Sequence, residues 1–372
     1  MKTPLLLLSI WSSFFISENS AFSPPFVSVF GKKKDTEIHE SKPLQLKDVV
    51  QKVAVTGATG RTGRLVVEEL LEREVSSVVA IVRDTKKAAE IFPNPPDNLQ
   101  IVQVDLFDEN QIKVLCESLD AAIWCATGFS SNADTSPLER MKSLFGIATK
   151  RTIDTVGLPS FGKYLSAVQA TGGEPLPKVI LCSSAGVTRP IWDDAKKQRF
   201  PGAANIPIVR LNPFGILDIK RMSEEKLRDT GADYCIVRPS GLNDSWPAGS
   251  RPIFSQGDVA VGRINRKDVA KVLVDVLTAP EATGKTFETT AVAGYPKAPS
   301  IAPVLSRLRK DSEGLPSMEQ IEGTYTAMQQ LLPGEQQDAA ALAMGQTYEQ
   351  LDRGEEGRLG KRGQEKLSQI RD

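Results

Sequence analysis

The 372-residue sequence predicts an α/β protein with a doubly wound parallel sheet followed by a C-terminal helical hairpin. Short apolar runs alternate with helical patterns between about residues 50 and 290, which is typical of consecutive βαβ units. The runs are apolar throughout, as strands buried on both faces are. A glycine-rich loop directly follows the first run. The content of 40% hydrophobic and 25% charged residues is that of a globular protein.

Seven segments are predicted strands, and all but the last of them are mainly apolar. They cover residues 53–55, 78–82, 101–104, 121–125, 179–182, 234–237 and 285–290. Between them, apolar residues at helical spacing predict helices over 64–73 and 267–277. The connection 126–177 is longer than one crossover helix requires, which predicts a lid or an excursion on the substrate side.

The glycine loop joins the first strand to the first helix, with Gly57, Gly60 and Gly63 in a G-x-x-G-x-x-G pattern. Gly57 permits the tight turn, Gly60 lets backbone amides approach a pyrophosphate, and Gly63 allows close helix–sheet contact. The helix N-terminus supplies oriented N–H groups for the phosphates. This context predicts a Rossmann-like dinucleotide site. Its candidate cofactor-binding residues are Gly57, Thr59, Gly60, Arg61, Thr62 and Gly63.

The end of the second strand selects the dinucleotide. NAD-specific sites place Asp or Glu there to bind the ribose hydroxyls. Here Arg83 occupies the position, and a guanidinium suits a 2′-phosphate that a carboxylate would repel. We therefore predict NADP(H) as the cofactor. In the alternative, Arg83 is solvated and Asp84 binds the ribose.

Further motifs follow the later strands in order. They are Asp105-Leu106, Cys125-Ala126-Thr127-Gly128-Phe129, Ser183-Ser184-Ala185-Gly186 and Arg238-Pro239-Ser240-Gly241. With the glycine loop, they resemble the atypical short-chain dehydrogenases/reductases of the NAD(P)H-binding type over roughly 51–290. That group includes flavin/biliverdin-B reductases and plastid translocon-associated oxidoreductase-like proteins. The resemblance implies that Asp105 and Leu106 lie at the adenine. It also implies that Ala126, Thr127 and Gly128 form the turn at the nicotinamide.

The resemblance also implies two catalytic residues. Better-known short-chain reductases use a serine, a tyrosine that donates the proton, and a lysine four residues after the tyrosine. Ser184 matches the serine and Lys220 the lysine, so the tyrosine position is Ile216. No tyrosine of this chain has a lysine at the fourth following place. In the alternatives, Ser184 and Lys220 have only structural roles, or Tyr164 supplies a relocated phenol.

The N-terminus predicts targeting. Lys2 precedes an apolar stretch of about twelve residues, too short for a membrane span of roughly twenty and right for a signal peptide. The junction at Phe22 resembles plastid presequences of algae with secondary plastids, in which a transit peptide that begins with Phe follows a signal peptide. We predict a signal peptide over 1–21, a transit peptide or linker over 22–48, and import into the plastid stroma. Secretion is the alternative.

The mature chain is then expected to comprise an NAD(P)-binding domain over 49–302, a helical hairpin over 303–353 and a disordered tail over 354–372. Pro333 and Gly334 separate the two amphipathic helices of the hairpin. We expect the hairpin to pack on the domain or on a second copy of it. Docking to another protein is the alternative.

Composition excludes several functions. The 46 basic and 46 acidic residues argue against a nucleic-acid binder. The single histidine, His39, lies in the predicted presequence, so the mature chain lacks the imidazole that many catalytic triads and zinc sites need. The four cysteines form no C-x-x-C motif and predict buried free thiols. Neither a metal site nor a membrane segment is expected in the mature chain.

Two hypotheses of different classes follow. In the first, the protein is an NADP(H)-dependent oxidoreductase that passes hydride to a small conjugated, quinone-like or flavin-like acceptor. With Ile216 at the acid's position, an acceptor that is protonated by solvent or stabilises its own anion fits better than a simple ketone. In the second, it is a non-catalytic scaffold that senses NADP(H) and serves the assembly of plastid complexes.

Overall fold

The computed structural model describes residues 45–127, 152–166, 175–295 and 298–331. Several predictions lie outside these ranges. They concern the signal peptide, most of 22–48 including His39, the residue Gly128, the second helix of the hairpin, and the tail 354–372.

Ten strands lie within the described residues. They are β1 Lys52–Thr56, β2 Ser77–Val82, β3 Leu99–Gln103, β4 Ala121–Trp124, β5 Val179–Cys182, β6 Tyr234–Pro239, β7 Gly241–Leu242, β8 Arg251–Ser255, β9 Arg263–Ile264 and β10 Lys285–Val292. Eight of them form one sheet in the order β3-β2-β1-β4-β5-β6-β10-β8, and β7 pairs with β9 separately. All neighbours in the large sheet are parallel except β10 and β8.

The described helices connect these strands. They are α1 Leu46–Val49, α2 Gly63–Glu72, α3 Thr85–Ile91, α4 Glu109–Cys116, α5 Ile153–Ser166, α6 Asp194–Arg199, α7 Pro201–Ala204, α8 Pro207–Leu211, α9 Ile216–Arg228, α10 Arg266–Asp275, α11 Ala302–Leu305 and α12 Met318–Leu331. Among the helices of the described ranges, none is long and apolar enough to cross a membrane.

The predicted fold class is confirmed. Each of the seven predicted strands is present, and the strand order reverses between β1 and β4, as in a doubly wound sheet. The sequence did not predict β7, β8 and β9. Two of these have only two residues each, and β8 contains Pro252 and lies at the sheet edge, where a missing N–H is tolerated.

Both faces of the sheet are covered by apolar helices. Val53 and Val55 of β1 pack on one face with Leu70 of α2. Ala54, between them, packs on the other face, where Leu158 of α5 and Leu227 of α9 lie. Since successive strand residues point to opposite faces, this burial requires the continuous apolar runs seen in the sequence.

The long connection between β4 and β5 contains α5, which packs in the apolar cluster beneath the sheet. Gly157 of α5 lies against the carbonyl of Leu106, because a Cβ built there would be 2.5 Å from that oxygen and 3.0 Å from the Trp124 ring. This helix is therefore a crossover helix. The predicted lid falls on residues 128–151 and 167–174, which are outside the described ranges.

The first helix of the predicted hairpin, α12, packs on the domain. Ile321 and Met328 are buried in an apolar cluster with Phe200 and Val259. The hydroxyl of Tyr325 accepts a hydrogen bond from the backbone N–H of Gly202 at 3.0 Å. The apolar face of α12 is thus turned toward the domain.

The close approach at Gly157 generates a stability prediction. We expect Gly157→Ala to destabilise the full chain by about 1–3 kcal/mol, because the new methyl group would overlap the Leu106 carbonyl. Gly323→Ala is the matched control, since Gly323 is an exposed residue within α12 with no atom within 4 Å of its added Cβ. The control is expected to be stabilised by up to about 1 kcal/mol through helix propensity. Urea unfolding measures both, and a Gly157→Ala variant as stable as the control would contradict the described packing.

Candidate functional site

The candidate site lies at the carboxyl edge of the sheet, where the loops after β1, β4 and β5 meet. The reversal of strand order between β1 and β4 opens a crevice there, which is where doubly wound proteins bind ligands. The sequence motifs described above all follow strands at this edge.

The glycine loop packs backbone against backbone on the turn after β4. Gly57 has a φ of +66°, and a Cβ on it would lie 2.8 Å from the Ala126 backbone nitrogen. A Cβ on Gly63 would overlap the carbonyl oxygen of Gly57. The buried Thr56 links the two segments, since its hydroxyl accepts a hydrogen bond from the Ala126 N–H at 3.3 Å. Side chains at Gly57 or Gly63 would therefore separate the loop from its support.

The start of α2 is suited to an anion. The helix has ten residues, and Thr62 at its N-cap makes no side-chain capping bond. The Arg64 N–H donates to the Gly60 carbonyl at 3.1 Å, and within the described residues the other first-turn N–H groups are left for another acceptor. Gly60 is exposed in front of this turn, while Thr59 and Thr62 are half-buried beside it. A cradle that a Cβ would fill, facing uncapped amides, fits a pyrophosphate.

Asp244, in the loop after β7, joins two cations at this edge. Its carboxylate pairs with Arg61 of the glycine loop and with Arg266 at the start of α10, both at 2.7 Å. Partial burial opposes ionisation of Asp244, but the two guanidinium groups hold its pKa below the usual value. The sequence did not predict this ion pair because Arg61 and Asp244 are 183 positions apart and belong to no common motif.

The ends of β2 and β3 carry the predicted adenine-side residues. Arg83 is exposed directly after β2, and its carbonyl accepts a hydrogen bond from the Gln103 side chain at 2.9 Å. Asp84 caps α3 by accepting from the N–H groups of Lys86 and Lys87. This role occupies one carboxylate oxygen of Asp84, whereas the Arg83 guanidinium makes no hydrogen bond or ion pair with the residues that the structure describes.

Asp105 and Leu106 follow β3. Asp105 is exposed and accepts a hydrogen bond from the N–H of Phe107 at 2.9 Å, whereas Leu106 is half-buried. At the other predicted end, Ala126 is half-buried and Thr127 is exposed. Gly128 lies outside the described residues.

The two serines after β5 point to different partners. The Ser183 hydroxyl donates to the Glu224 carboxylate at 2.6 Å. The half-buried Ser184 hydroxyl donates to the Ala185 carbonyl at 3.0 Å. Its oxygen remains able to accept, so Ser184 can still orient a ligand.

Glu224 is the centre of a buried polar network. Its side chain is fully buried on α9 and accepts from Arg238 of β6, with Nε and Oε1 2.9 Å apart. Ion pairing with Glu224 outweighs the burial of Arg238 and raises the pKa of that guanidinium. Arg228, one turn further along α9, also pairs with Glu224 at 3.2 Å. The network binds α9 to the ends of β5 and β6.

Lys220 lies one turn before Glu224 on the same helix. Its side chain is half-buried, and within the described parts of the chain it makes no hydrogen bond or ion pair. Its positive charge nevertheless lowers the pKa of the nearby Cys182 thiol, although less than a hydrogen bond from Cys125 does. Ile216, at the expected tyrosine position, packs with Val187, Val209 and Leu217. No proton donor replaces the tyrosine at that position.

Tyr164 is engaged away from these groups. Its hydroxyl donates to the Glu109 carboxylate of α4 at 2.8 Å, and this hydrogen bond raises the pKa of the phenol. The nearby Lys163 pairs with the same carboxylate at 2.8 Å. The structure therefore gives the alternative of a relocated phenol no support.

A second buried charge cluster holds the loop after β5. Asp258 accepts from the backbone N–H groups of Gly186 and Thr188 at 2.6 and 2.7 Å. Arg189 donates to the carbonyl of Asp258 at 2.7 Å. Glu288 of β10 accepts from the Asp258 N–H at 3.0 Å.

Among the described residues, no group of three or more potential ligands could hold a metal ion.

Comparison with known proteins identifies the family. The sequence profile of the NAD(P)H-binding family matches residues 57–280. The chain belongs to the NAD(P)H-binding family. An uncharacterised chloroplastic protein of Arabidopsis thaliana is 32% identical over 305 residues, which cover 78% of this chain and 94% of that protein.

Two further proteins with similar sequences have specific names. Sanguinarine reductase of Eschscholzia californica is 26% identical, with 63% of this chain and 87% of that protein covered. The chloroplastic protein TIC 62 of Arabidopsis thaliana is 25% identical, with 79% of this chain but only 46% of that protein covered.

Membership of the NAD(P)H-binding family gives the glycine loop its ligand class. The uncapped α2 amides and the Gly57–Ala126 contact fit a dinucleotide phosphate, and Lys220 supplies a cation without a protein partner in the described residues. The sequence located Lys220 and the glycines but not the network around Glu224. The spacing of Lys220 and Glu224 was visible in the sequence, because residues four apart share a helix face. Only the fold, however, brings Ser183 and Arg238 to the Glu224 carboxylate.

The second charge cluster generates a pH prediction. Burial, and then the charge of Asp258, raises the pKa of Glu288 from an ordinary 4.5 to about 7. The folded state thus holds this proton more tightly, and the resulting stability is complete below pH 4.5 and lost as the pH rises through about 7. The difference amounts to about 3 kcal/mol, at roughly 1.4 kcal/mol per tenfold change in proton affinity.

We expect Glu288→Gln, which mimics the protonated side chain, to lose less stability than wild type between pH 5 and pH 8 in urea unfolding. Glu90→Gln, on the exposed surface of α3, is the control and should behave as wild type. Equal losses in all three chains would show that Glu288 does not titrate in this range.

Proposed function

We propose that the protein is an NADP(H)-dependent oxidoreductase of the plastid stroma that passes hydride to a small conjugated, quinone-like or flavin-like acceptor. Ser184 and Lys220 are its proposed catalytic residues. The proposal rests on the site residues and is supported by what the relatives are named for.

The observation that carries the proposal is the Glu224 network. Glu224 fixes α9 to Ser183, directly after β5, and to Arg238 of the neighbouring strand β6. We infer that this network holds the Lys220 ammonium and the Ser184 hydroxyl toward the edge that the glycine loop shares. Within the described residues the Lys220 side chain has no hydrogen bond or ion pair.

Backbone amides and side chains would each hold a different part of the cofactor. The amides before α2 would hold the pyrophosphate, Arg83 the 2′-phosphate, and Lys220 the hydroxyls of the nicotinamide ribose. The exposure of Arg83 and the capping role of Asp84 support NADP(H) over NAD(H). When bound, the reduced nicotinamide supplies the hydride.

The protein's own residues set the class of acceptor. Ile216 offers no proton, so the site can orient an acceptor through Ser184 and stabilise developing negative charge through Lys220, but it lacks the usual acid. An acceptor that keeps its own negative charge, or takes a proton from water, meets these conditions. The reductase named among the relatives supports hydride transfer, and the chloroplastic relatives support a plastid location.

Cofactor choice is testable at Arg83. We expect Arg83→Asp to weaken NADPH binding by about 10- to 100-fold, since a hydrogen bond to a charged group contributes about 1.5–3 kcal/mol, and to leave NADH binding nearly unchanged. Arg251→Gln removes an exposed arginine from β8 at the far edge of the sheet and is the control. Fluorescence titration with each dinucleotide measures the ratio, and an unchanged ratio in Arg83→Asp would refute the assignment.

Turnover is testable with NADPH and a panel of quinones, flavins and enones. We expect wild type to oxidise NADPH with at least one acceptor, and Ser184→Ala or Lys220→Met to lower kcat by about 100-fold, as loss of a charge-stabilising donor does. Arg251→Gln should retain full activity. NADPH binding without turnover on any acceptor would overturn the enzyme and favour the scaffold.

The scaffold remains the second candidate, because TIC 62 is among the relatives. The packing of Ile321 and Met328 against the domain is an argument against a partner on that face of α12. A pull-down with the full-length chain and with a chain that lacks the residues after 331 distinguishes the candidates. Only the scaffold requires capture of a partner protein that depends on those C-terminal residues.

A further inference from the structure

Two cysteines occupy equivalent places on neighbouring parallel strands. Trp124 of β4 is paired with Leu181 of β5, so the next residues, Cys125 and Cys182, lie opposite each other at the carboxyl edge. Both pack at the rim of the same apolar cluster. Their side chains therefore project from the same face of the sheet.

The spacing of this pair permits a covalent bond. Neighbouring strands are about 4.8 Å apart, and disulfides join Cα atoms about 4.4–6.8 Å apart. The two thiols are free, and each shifts the pKa of the other. A disulfide between them would need rotation of side chains but no displacement of the strands.

The surroundings distinguish these thiols from the other two cysteines of the chain. A hydrogen bond from Cys125 lowers the pKa of Cys182, and the cations Lys220 and Arg266 lower it further. Both thiols are half-buried at the cofactor edge, whereas Cys116 and Cys235 are buried. Burial raises the pKa of Cys116 to about 12 and also raises that of Cys235. Because the thiolate is the reactive form, Cys182 is the activated thiol of this more exposed pair, whereas the interaction with Cys182 and burial raise the pKa of Cys125.

We propose that Cys125 and Cys182 form a reversible dithiol–disulfide site that reacts with small disulfides of the oxidised-glutathione class. We further propose that a dinucleotide bound over the turn after β4 shields this site, a part that rests on the proposed function. Cys125 directly precedes Ala126, whose backbone supports Gly57 of the phosphate loop. A cofactor crossing from that loop to Ser184 would cover both thiols.

The reaction balances as two thiol–disulfide exchanges. The Cys182 thiolate attacks one sulfur of oxidised glutathione, whose S–S bond breaks and releases one glutathione thiolate. Cys125 then loses its proton to solvent and attacks the Cys182 sulfur, releasing the second glutathione. The protein is oxidised by two electrons, and one oxidised glutathione is reduced to two thiols.

The test uses the full-length reduced chain, incubated with oxidised glutathione and mapped by mass spectrometry of non-reduced peptides. We expect a Cys125–Cys182 linkage in wild type, a stable glutathione adduct at Cys182 in Cys125→Ser, and neither product in Cys182→Ser. Cys235→Ala is the matched control and should form the linkage as wild type does. Absence of the linkage in wild type, or equal modification of all four cysteines, would overturn the dithiol site.

A second arm adds NADP⁺. At about ten times its Kd, the dinucleotide should slow formation of the disulfide about tenfold if the bound form does not react. Rapid disulfide formation despite measured NADP⁺ binding would overturn the shielding and the proposed course of the cofactor, while leaving the dithiol site intact. A chain that binds NADP⁺ but forms no disulfide would overturn the dithiol site and leave the proposed function standing.

Discussion

The carboxylate of Glu224 is the interaction on which the arrangement of the candidate site depends. It is fully buried and shared by Arg238 and Ser183, so α9, β6 and the loop after β5 are held at one point. Removing one partner of a buried ion pair leaves an uncompensated charge, at a cost of about 3–5 kcal/mol. The helix α9 is thus fixed at Glu224, one turn after Lys220.

A second constraint acts at the other side of the edge, where backbone meets backbone. The Gly57–Ala126 contact leaves no room for side chains, so phosphate recognition there falls to amides and a helix N-terminus. Side-chain charge is placed around this cradle instead, at Arg83 and Lys220 and in the Arg61–Asp244–Arg266 cluster. Under the proposed function, Ile216 at the acid's position makes this a site for hydride transfer without a dedicated proton donor.

Local sequence signals predicted most of the fold, for physical reasons. Strands buried on both faces are continuously apolar, so β1, β2, β4, β5 and β6 were recognisable, as was the glycine loop, because glycines at a tight turn have no substitute. The strands β3, at the sheet edge, and β10, which contains Lys285 and Glu288, were predicted although they are not continuously apolar. Edge strand β8 and the two-residue strands β7 and β9 carry no such signal. Glu224, Asp244 and Asp258 looked like ordinary acidic residues, because their partners lie on distant segments and only the folded sheet brings the charges together.

In the proposed function, the Glu224 network presents Lys220 and Ser184 to the nicotinamide end of an NADP(H) that the glycine loop holds. A crystal structure of the full chain with NADP⁺ tests it most directly. In that crystal structure we expect the pyrophosphate on the amides before α2, the 2′-phosphate on Arg83, and the Lys220 ammonium on the nicotinamide ribose. A 2′-phosphate away from Arg83, or a nicotinamide directed away from Ser184 and Lys220, would contradict it.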